Sequence, residues 1–226
     1  MIDSWGWFID DVRIYTCSDP DPLSMTLTYP DGSETFGTGE PVTITWSGPT
    51  NLAYATLQYS IDNGLTWKTI EKNVTGIEYP WTVPFLTTNK SKCLIKVTGY
   101  NSKGVRLGTD KSNSPFAIHV VDVTSPNGGE SLTEAFYDIT WTTRETKNAV
   151  KSVKLYYTMN AGITWTLIET LPGEDPGDHT HRWEPLPAVT IDKTKCKIKV
   201  VLKDAAENIL ASDVSDGFFT IPKPIL

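Results

Sequence analysis

Side chains that bind metal ions are concentrated in one short stretch, GEDPGDHTHRW, which runs from Gly173 to Trp183. On a β-strand, His179 and His181 would point to the same side, and two imidazoles at that spacing suit a transition metal ion. Acidic residues lie close by in the same stretch: Glu174, Asp175 and Asp178. Because the stretch is longer than its counterpart elsewhere in the chain, we expect a solvated loop. We predict no metal site, and His179 and His181 stay weak candidates.

A second candidate for chemistry is the sequence SIDNGLTW, Ser60 to Trp67, which recurs as TMNAGITW. The positions at issue are Asp62, Gly64, Thr66 and Trp67, and their counterparts Asn160, Gly162, Thr164 and Trp165. They match the Asp-box pattern, which is best known from sialidases and other β-propeller enzymes. Asn cannot act as a general acid, so the two copies do not share proton transfer. Asp and Asn both accept hydrogen bonds from turn amides, and glycine adopts left-handed conformations. The pattern therefore predicts a structural turn, with the Trp folded under the hairpin and the Thr starting the returning strand.

Composition argues against several classes of function. The 226 residues carry a formal charge of −7, and only four of the twenty basic residues are Arg, which are scattered. Binding to nucleic acid relies on clustered Lys and Arg, so we expect no nucleic-acid partner. No run of about 18 apolar residues is present, and we expect no membrane insertion. The sequence contains no GxSxG, HExxH or GxxxxGK[ST] motif, so we predict that the chain is not an enzyme and needs no cofactor.

An internal repeat organises the chain. YPDGSETFGTGEPVTITW aligns with SPNGGESLTEAFYDITW, LQYSIDNGLTWKTIE with LYYTMNAGITWTLIE, and CLIKV with CKIKV. We therefore divide the chain into an N-terminal strand and linker, residues 1–22, a first domain, residues 23–120, and a second domain, residues 121–226.

The pattern within each repeat is β throughout. Polar and apolar residues alternate in runs such as Thr43 to Trp46 and Lys195 to Val200, and Gly, Pro, Asn and Asp lie between the runs. These patterns predict an all-β protein with two tandem immunoglobulin or fibronectin type III-like β-sandwiches and an extra N-terminal strand. Six tryptophans are expected to fill the two cores: Trp46, Trp67, Trp81, Trp141, Trp165 and Trp183. Cys93 and Cys196 occupy equivalent positions in different domains, so we expect two buried thiols rather than a disulfide.

These blocks resemble the Ig-like repeats of large secreted bacterial and archaeal surface proteins. Ser125 to Glu130 reads SPNGGE, Trp81 to Pro84 reads WTVP, and the second repeat closes with SDGFFTI. The resemblance covers about 200 residues. It implies an extracellular or cell-surface location, a spacer or adhesion role without catalysis, and the other domains of a larger surface protein as partners.

The first twenty residues resemble a different family. GWFIDDVRIYTC is similar to the last strand of jelly-roll domains found after secreted metalloproteases, which implies the remnant of a preceding domain. That resemblance makes Asp10 a weak candidate for structural calcium and suggests an upstream partner for Cys17. An alternative interpretation starts from the apolar side chains of this segment, because an unpaired apolar strand is a template for pairing. Residues 5–15 would then be donated to another copy to build a filament. The side chains concerned are Trp5, Trp7, Phe8, Ile9, Val12 and Ile14.

Three function classes remain open, namely a stiff structural or adhesion spacer, a self-assembling filament subunit, and a carbohydrate-binding module. The segment from His119 to Thr124 contains no Gly or Pro, which favours a stiff connection between the domains. Six tyrosines are candidate sugar platforms in the third class, with polysaccharide as the partner: Tyr54, Tyr59, Tyr79, Tyr100, Tyr156 and Tyr157. No signal peptide opens the chain, so either the protein stays in the cytoplasm or its start is trimmed. The resemblance of the first strand to the end of a jelly-roll domain favours a piece of a longer protein.

Overall fold

The structure is a computed structural model and describes residues 24–224, all of which lie in strands, turns or loops. The strands of the first domain are β1 (Thr26–Tyr29), β2 (Thr35–Gly37), β3 (Pro41–Ser47), β4 (Tyr54–Ser60), β5 (Lys68–Val74), β6 (Glu78–Thr82), β7 (Lys90–Tyr100), β8 (Arg106–Lys111) and β9 (Phe116–His119). The strands of the second domain are β10 (Val121–Ser125), β11 (Tyr137–Thr143), β12 (Ser152–Thr158), β13 (Thr166–Pro172), β14 (Gly177–Trp183), β15 (Lys193–Lys203), β16 (Ile209–Val214) and β17 (Phe219–Ile221).

Each domain is a sandwich of a three-stranded sheet and a larger sheet. In the first domain the order β1-β3-β6 faces β2-β9-β7-β4-β5, and β8 extends the edge of β7 beyond β9. The second domain repeats this with β10-β11-β14 facing β13-β12-β15-β16, while β17 also pairs with β15. All pairs are antiparallel except β2 with β9. The predicted fold class, two tandem fibronectin type III-like sandwiches, is confirmed.

The period-2 alternation of the sequence places one face of each strand in a core. In β3, Val42, Ile44 and Trp46 are buried, whereas Thr43 is exposed. The two sandwiches have separate cores, which contain the same tryptophan pair in each domain. The core pairs are Trp46 with Trp81 and Trp141 with Trp183. Burying one such side chain contributes roughly 2–3 kcal/mol, so these pairs supply a large share of the stabilisation.

The prediction that Trp67 and Trp165 also fill the cores is wrong. Both are half-buried on the outside of the large sheet, where the ring of Trp67 lies 4.0 Å from the Lys96 ammonium and that of Trp165 lies 4.3 Å from the Lys199 ammonium. Lys96 lies on β7 and Lys199 on β15, the strands that pair with the first arm of each hairpin, β4 and β12. Each cation stacks on the ring face. These tryptophans therefore support the hairpin from below without entering the core.

Cys93 and Cys196 are free thiols, and neither is exposed to solvent. Each sulfur donates to a backbone carbonyl three residues earlier, that of Lys90 or Lys193. Burial raises the pKa of Cys93 to about 11 and also raises the pKa of Cys196. A thiol of that pKa is unreactive at neutral pH, since the thiolate is the nucleophile. Both residues act as small apolar core side chains.

Candidate functional site: the repeated hairpin turn and the domain junction

The hairpin turn between β4 and β5 is built around the side chains of Ser60 and Asp62. The Asp62 carboxylate accepts hydrogen bonds from the Thr66 amide at 2.8 Å, from the Thr66 hydroxyl, and from the Ser60 hydroxyl at 2.7 Å. The Ser60 hydroxyl oxygen accepts the Gly64 amide at 2.8 Å. These bonds from Thr66 and Ser60 lower the pKa of Asp62 to about 2. The carboxylate is an acceptor at the centre of a turn, and it stays ionised at neutral pH.

The second domain builds the same turn with an amide in place of the carboxylate. Asn160 Oδ1 accepts the Thr164 amide at 3.0 Å and the Thr158 hydroxyl at 2.8 Å, and Asn160 Nδ2 donates to the Thr164 hydroxyl at 2.9 Å. Left-handed backbone falls on Gly162, with φ 88°, and on the preceding Ala161, with φ 59°. The first domain has the same pair at Gly64 and Asn63. The expectation that Thr66 and Thr164 start the returning strands is wrong by two residues, since β5 begins at Lys68 and β13 at Thr166.

The expectation of a solvated loop around the two histidines is also wrong, because His179 and His181 lie within β14 and both are partly buried. They share one face of that strand, but their partners differ. His179 Nδ1 lies 2.7 Å from Glu174 Oε2, and His181 Nε2 lies 3.3 Å from Glu169 Oε2. Among residues 24–224, no group of three or more His, Cys, Asp or Glu side chains is arranged to hold a metal ion.

The His179 ring connects an acid to an alcohol, as in the catalytic triads of hydrolases. Glu174 contacts Nδ1, and the Thr143 hydroxyl lies 2.9 Å from Nε2. A nucleophile must reach the substrate's carbonyl carbon, yet Thr143 is only 4% exposed. Its hydroxyl also lies near the carbonyl oxygens of Asp175 and Gly177. The arrangement instead ties the end of β11 to the start of β14.

Side-chain hydrogen bonds hold the junction between the two domains. Val120 is the single residue between β9 and β10, and neither Val120 nor Val121 is exposed. The side chain of Asn89 binds the backbone on both sides of this point. Asn89 Oδ1 accepts the Val120 amide at 2.8 Å, while Asn89 Nδ2 donates to the Val121 carbonyl at 2.7 Å and to Asp122 Oδ1 at 3.0 Å. His119 Nδ1 lies 2.8 Å from the same Asp122 oxygen.

A loop of the second domain, which follows β11, packs on two glycines of the first. A Cβ atom on Gly37 would lie 3.2 Å from Arg144 Cδ, and one on Gly39 would lie 2.8 Å from Glu145 Cβ. Between these glycines, the Thr38 hydroxyl donates to the Glu145 carbonyl at 2.6 Å. The glycines therefore permit a close approach that larger residues would prevent.

Apolar contact and backbone pairing complete the junction. Leu86 packs against the cores of both domains. Thr88 of the first domain forms a parallel β-bridge with Ser212 of the second. Contacts from both domains therefore surround the connecting residue.

An acidic hollow of about 490 Å³ lies beside the junction. Its lining includes Asn89, His119 and three carboxylates, Asp122, Asp213 and Asp216. Desolvation by burial is the main cause that raises the pKa of Asp213, and the charges of Asp122 and Asp216 add to the rise. Asp213 Oδ2 accepts the Val123 amide at 2.8 Å. Asp213 therefore holds β10 against β16, although burial and the two nearby carboxylates make its ionised form unfavourable.

The six tyrosines considered as sugar platforms are all half-buried. Tyr54 and Tyr100 stack on each other with ring centroids 5.3 Å apart. Tyr157 packs on Trp183, and Tyr156 lies beneath the Lys199 ammonium. Ring faces used in this way are not open platforms for a sugar.

Several proposed site residues lie outside the described part of the chain. They are Trp5, Trp7, Phe8, Ile9, Asp10, Val12, Ile14 and Cys17. The donated strand, the calcium ligand and the upstream cysteine partner therefore stay predictions.

The sequence reasoning missed Asn89, Leu86 and the pair Gly37 and Gly39. A signal for Asn89 was present in the repeat. The spacing of 103 residues between Cys93 and Cys196 pairs Asn89 with Asp192 and Val120 with Lys223. The Lys223 amide donates to Asp192 Oδ1 at 2.9 Å, just as the Val120 amide donates to Asn89 Oδ1.

No family model matches this chain. No curated protein matches it either. Solved structures with a similar arrangement include fibronectin(III)-like modules of CbhA from Clostridium thermocellum, with 18% identity, a TM-score of 0.32, and coverage of 88% of this chain and 94% of that one. A two-domain fibronectin type III segment of chicken tenascin has 14% identity, a TM-score of 0.29, and coverage of 86% and 98%. The assignment of the fold rests on the strand pairing of this chain.

No helix in the described range is long and apolar enough to span a membrane.

Proposed function

We propose that this chain is a non-enzymatic, stiff spacer of an extracellular or cell-surface protein, which holds neighbouring domains at a set distance and orientation. The observation that carries the proposal is the hydrogen bonding of Asn89 to the connecting residue Val120 and to Val121, the first residue of β10. Interfaces between domains of one chain usually permit relative motion unless they are large and apolar. A buried one-residue connection held by side-chain hydrogen bonds restricts that motion.

The chemistry of the described residues supports the same function. The Asp62 carboxylate and its counterpart Asn160 both serve turns, the buried thiols have raised pKa values, and His179 ties two strands together. Each side chain that resembles part of a catalytic site has a structural partner. The resemblance to secreted Ig-like repeats supports an extracellular location and attachment to further domains.

Pulsed electron paramagnetic resonance, which measures the distance between spin labels on the two hairpin tips, tests the stiffness of the domain junction. Leu65 and Ile163 are 85% and 82% exposed and lie in different domains, so Leu65→Cys and Ile163→Cys provide label sites. Cys17→Ser removes a competing thiol, and the buried Cys93 and Cys196 are protected. We expect a single narrow distance distribution for the full chain and a broad one after Asn89→Ala.

Asp192→Ala is the matched control, because Asp192 makes the equivalent bond to the Lys223 amide at the far end of the second domain. It should leave the distribution narrow. A broad distribution in the otherwise unchanged chain would overturn the spacer proposal. Equal broadening by both alanine variants would show that Asn89 does not control the junction.

A further inference from the structure

The far end of the second domain carries an open apolar groove of about 680 Å³. Its lining includes Leu132, Ala135, Leu186, Val189, Ile221 and Pro222. Leu132, Val189 and Ile221 belong to the buried core of the second domain, so side chains of that core form the bottom of the groove. An open groove with an apolar lining marks an interaction site more often than scattered apolar residues do.

The groove occupies the position that the second domain covers on the first. Val189 is the counterpart of Leu86, which packs against both cores. The last residue of each domain also makes the same hydrogen bond: the Val120 amide donates to Asn89, and the Lys223 amide donates to Asp192. The two ends are therefore built alike, and within residues 24–224 the second domain covers the end of the first while no described residue covers the end of the second.

An exposed side chain extends this comparison. Thr88 bridges to Ser212 across the junction, and its counterpart in the second domain is Ile191. Ile191 is 61% exposed. An exposed, β-branched apolar residue therefore occupies the position at which Thr88 of the first domain forms its β-bridge.

The sizes of facing residues indicate which domain would fit. At the covered end, Gly37 and Gly39 face Arg144 and Glu145. The corresponding stretch of the second domain, residues 133–135 (TEA), carries side chains and could not accept those two residues at the same distance.

The matching loop of the first domain is smaller. Ser47 pairs with Thr26 as Thr142 pairs with Asp122, so Pro49 and Thr50 stand in the first domain where Arg144 and Glu145 stand in the second. The larger residues 133–135 at the far end of the second domain would therefore fit against the smaller Pro49 and Thr50 loop of a first domain.

We propose that the far end of the second domain binds the first domain of a second copy of this chain, stacked end to end as the second domain is on the first. The contact joins two different surfaces, so repeating it adds copies head to tail instead of closing a two-fold dimer. Ser24 begins the first domain as Val120 begins the second, and Lys223 ends the second domain as Val120 ends the first. In the stack, Ser24 of one copy and Lys223 of the other must therefore lie side by side. The contact surfaces all lie within residues 24–224.

Sedimentation velocity of the full chain, from micromolar to millimolar concentration, tests this proposal. We expect the weight-average mass to rise with concentration. Ile191→Glu and Ala135→Arg place charge on the exposed surface of the contact and should weaken association at least about tenfold. Ile163→Glu is the matched control, because it makes the same change at an 82% exposed site on a hairpin tip.

Three results would overturn the proposal. The chain could stay monomeric at millimolar concentration, which would leave the face to a domain of another protein. Ile163→Glu could weaken association as much as Ile191→Glu, which would indicate non-specific contact. The double variant Trp5→Ser with Trp7→Ser could abolish association while Ile191→Glu does not, which would assign assembly to a donated N-terminal strand. None of these results depends on the stiffness of the junction within one chain.

Discussion

Asp31 and Asn113 form a pair of hydrogen bonds that the second domain repeats with the two residue types exchanged. Asp31 accepts both the backbone amide and the side-chain amide of Asn113 at 2.8 Å. In the second domain Asn127 accepts the Asp216 amide at 2.6 Å and donates to the Asp216 carboxylate at 2.9 Å. One acid and one amide are required at each site, and either residue can supply either group.

Asn113→Asp would place two carboxylates in contact in the first domain, and we expect the free energy of unfolding to fall by about 1 kcal/mol at neutral pH because one hydrogen bond is lost and two like charges meet. Adding Asp31→Asn recreates the arrangement of the second domain and should restore most of the loss. Urea denaturation measures both variants. Equal stability of the single and double variants would contradict the exchange.

Asp62 gives the first hairpin an acid dependence that the second hairpin lacks. Its pKa lies at about 2 in the folded protein, below the ordinary 3.8. The stabilisation that it provides is therefore complete above about pH 4 and is lost as the pH falls through about 2. We expect a carboxyl titration near pH 2 by NMR.

Asp62→Asn should remove this part of the acid dependence, since Asn160 shows that the turn closes with an amide. Asn160→Asp is the reciprocal variant and should introduce the dependence into the second hairpin. An Asp62 titration near pH 4 would contradict the hydrogen-bond geometry.

Gly39 is required at the junction for two reasons, a left-handed φ of 79° and the separation of only 2.8 Å that a Cβ at this position would have from Glu145 Cβ. Gly39→Ala should lower the free energy of unfolding by about 1–2 kcal/mol for the backbone alone, with more from displacement of the loop. It should also broaden the distance between labels on the hairpin tips.

Gly76→Ala separates the two reasons. Gly76 has a similar φ of 89°, but nothing lies within 4 Å of its added Cβ. Gly76→Ala should lower the free energy of unfolding only by the cost of the left-handed backbone, and it should leave the distance distribution between the hairpin-tip labels narrow. Equal losses of stability in Gly39→Ala and Gly76→Ala would show that the loop carrying Glu145 moves aside without an energetic cost.

Ionisation of Asp213 is unfavourable in the folded protein, because burial and the neighbouring acids Asp122 and Asp216 raise its pKa. A group with a raised pKa contributes its full stability below its unfolded pKa, and this is lost as the pH rises through the folded pKa. Asp213→Asn keeps an acceptor for the Val123 amide and should raise the midpoint of thermal unfolding at pH 7, with a smaller gain at pH 3.

Asp110→Asn is the control for this change. Asp110 accepts the Leu27 amide at 2.8 Å with the same geometry in the first domain. It lies outside the acidic hollow of the junction, so its replacement should give a smaller gain at pH 7. A loss of stability in Asp213→Asn would indicate that the charge itself is needed.

The strands and the repeat could be predicted from sequence because period-2 patterning and turn residues are local signals. The positions of Ile44 and Trp46 in β3 follow directly from that alternation. The positions of Trp67 and Trp165 do not, because a large aromatic next to a turn can face the core or lie under a lysine from a strand beyond the hairpin. Only the pairing of β4 with β7 brings Lys96 over Trp67.

The β14 strand shows a second limit of sequence reasoning. Its acidic and histidine-rich composition is typical of a loop, yet β11 pairs with it along seven residues. The junction was harder still to predict, since Asn89 is a single polar residue whose partners lie more than thirty positions away. Tertiary contact, not local preference, decides both cases.

Asn89 also begins the sequence Asn89-Lys90-Ser91, which fits the acceptor pattern for N-linked glycans. Its side-chain nitrogen is the atom that a glycan would modify, and in the folded protein that nitrogen donates to both Val121 and Asp122. A sugar attached there before folding would keep the two domains apart. Asn73-Val74-Thr75 has the same pattern with an exposed Asn73, so a host that glycosylates this protein would have one harmless acceptor and one whose modification breaks the Asn89 hydrogen bonds at the domain junction.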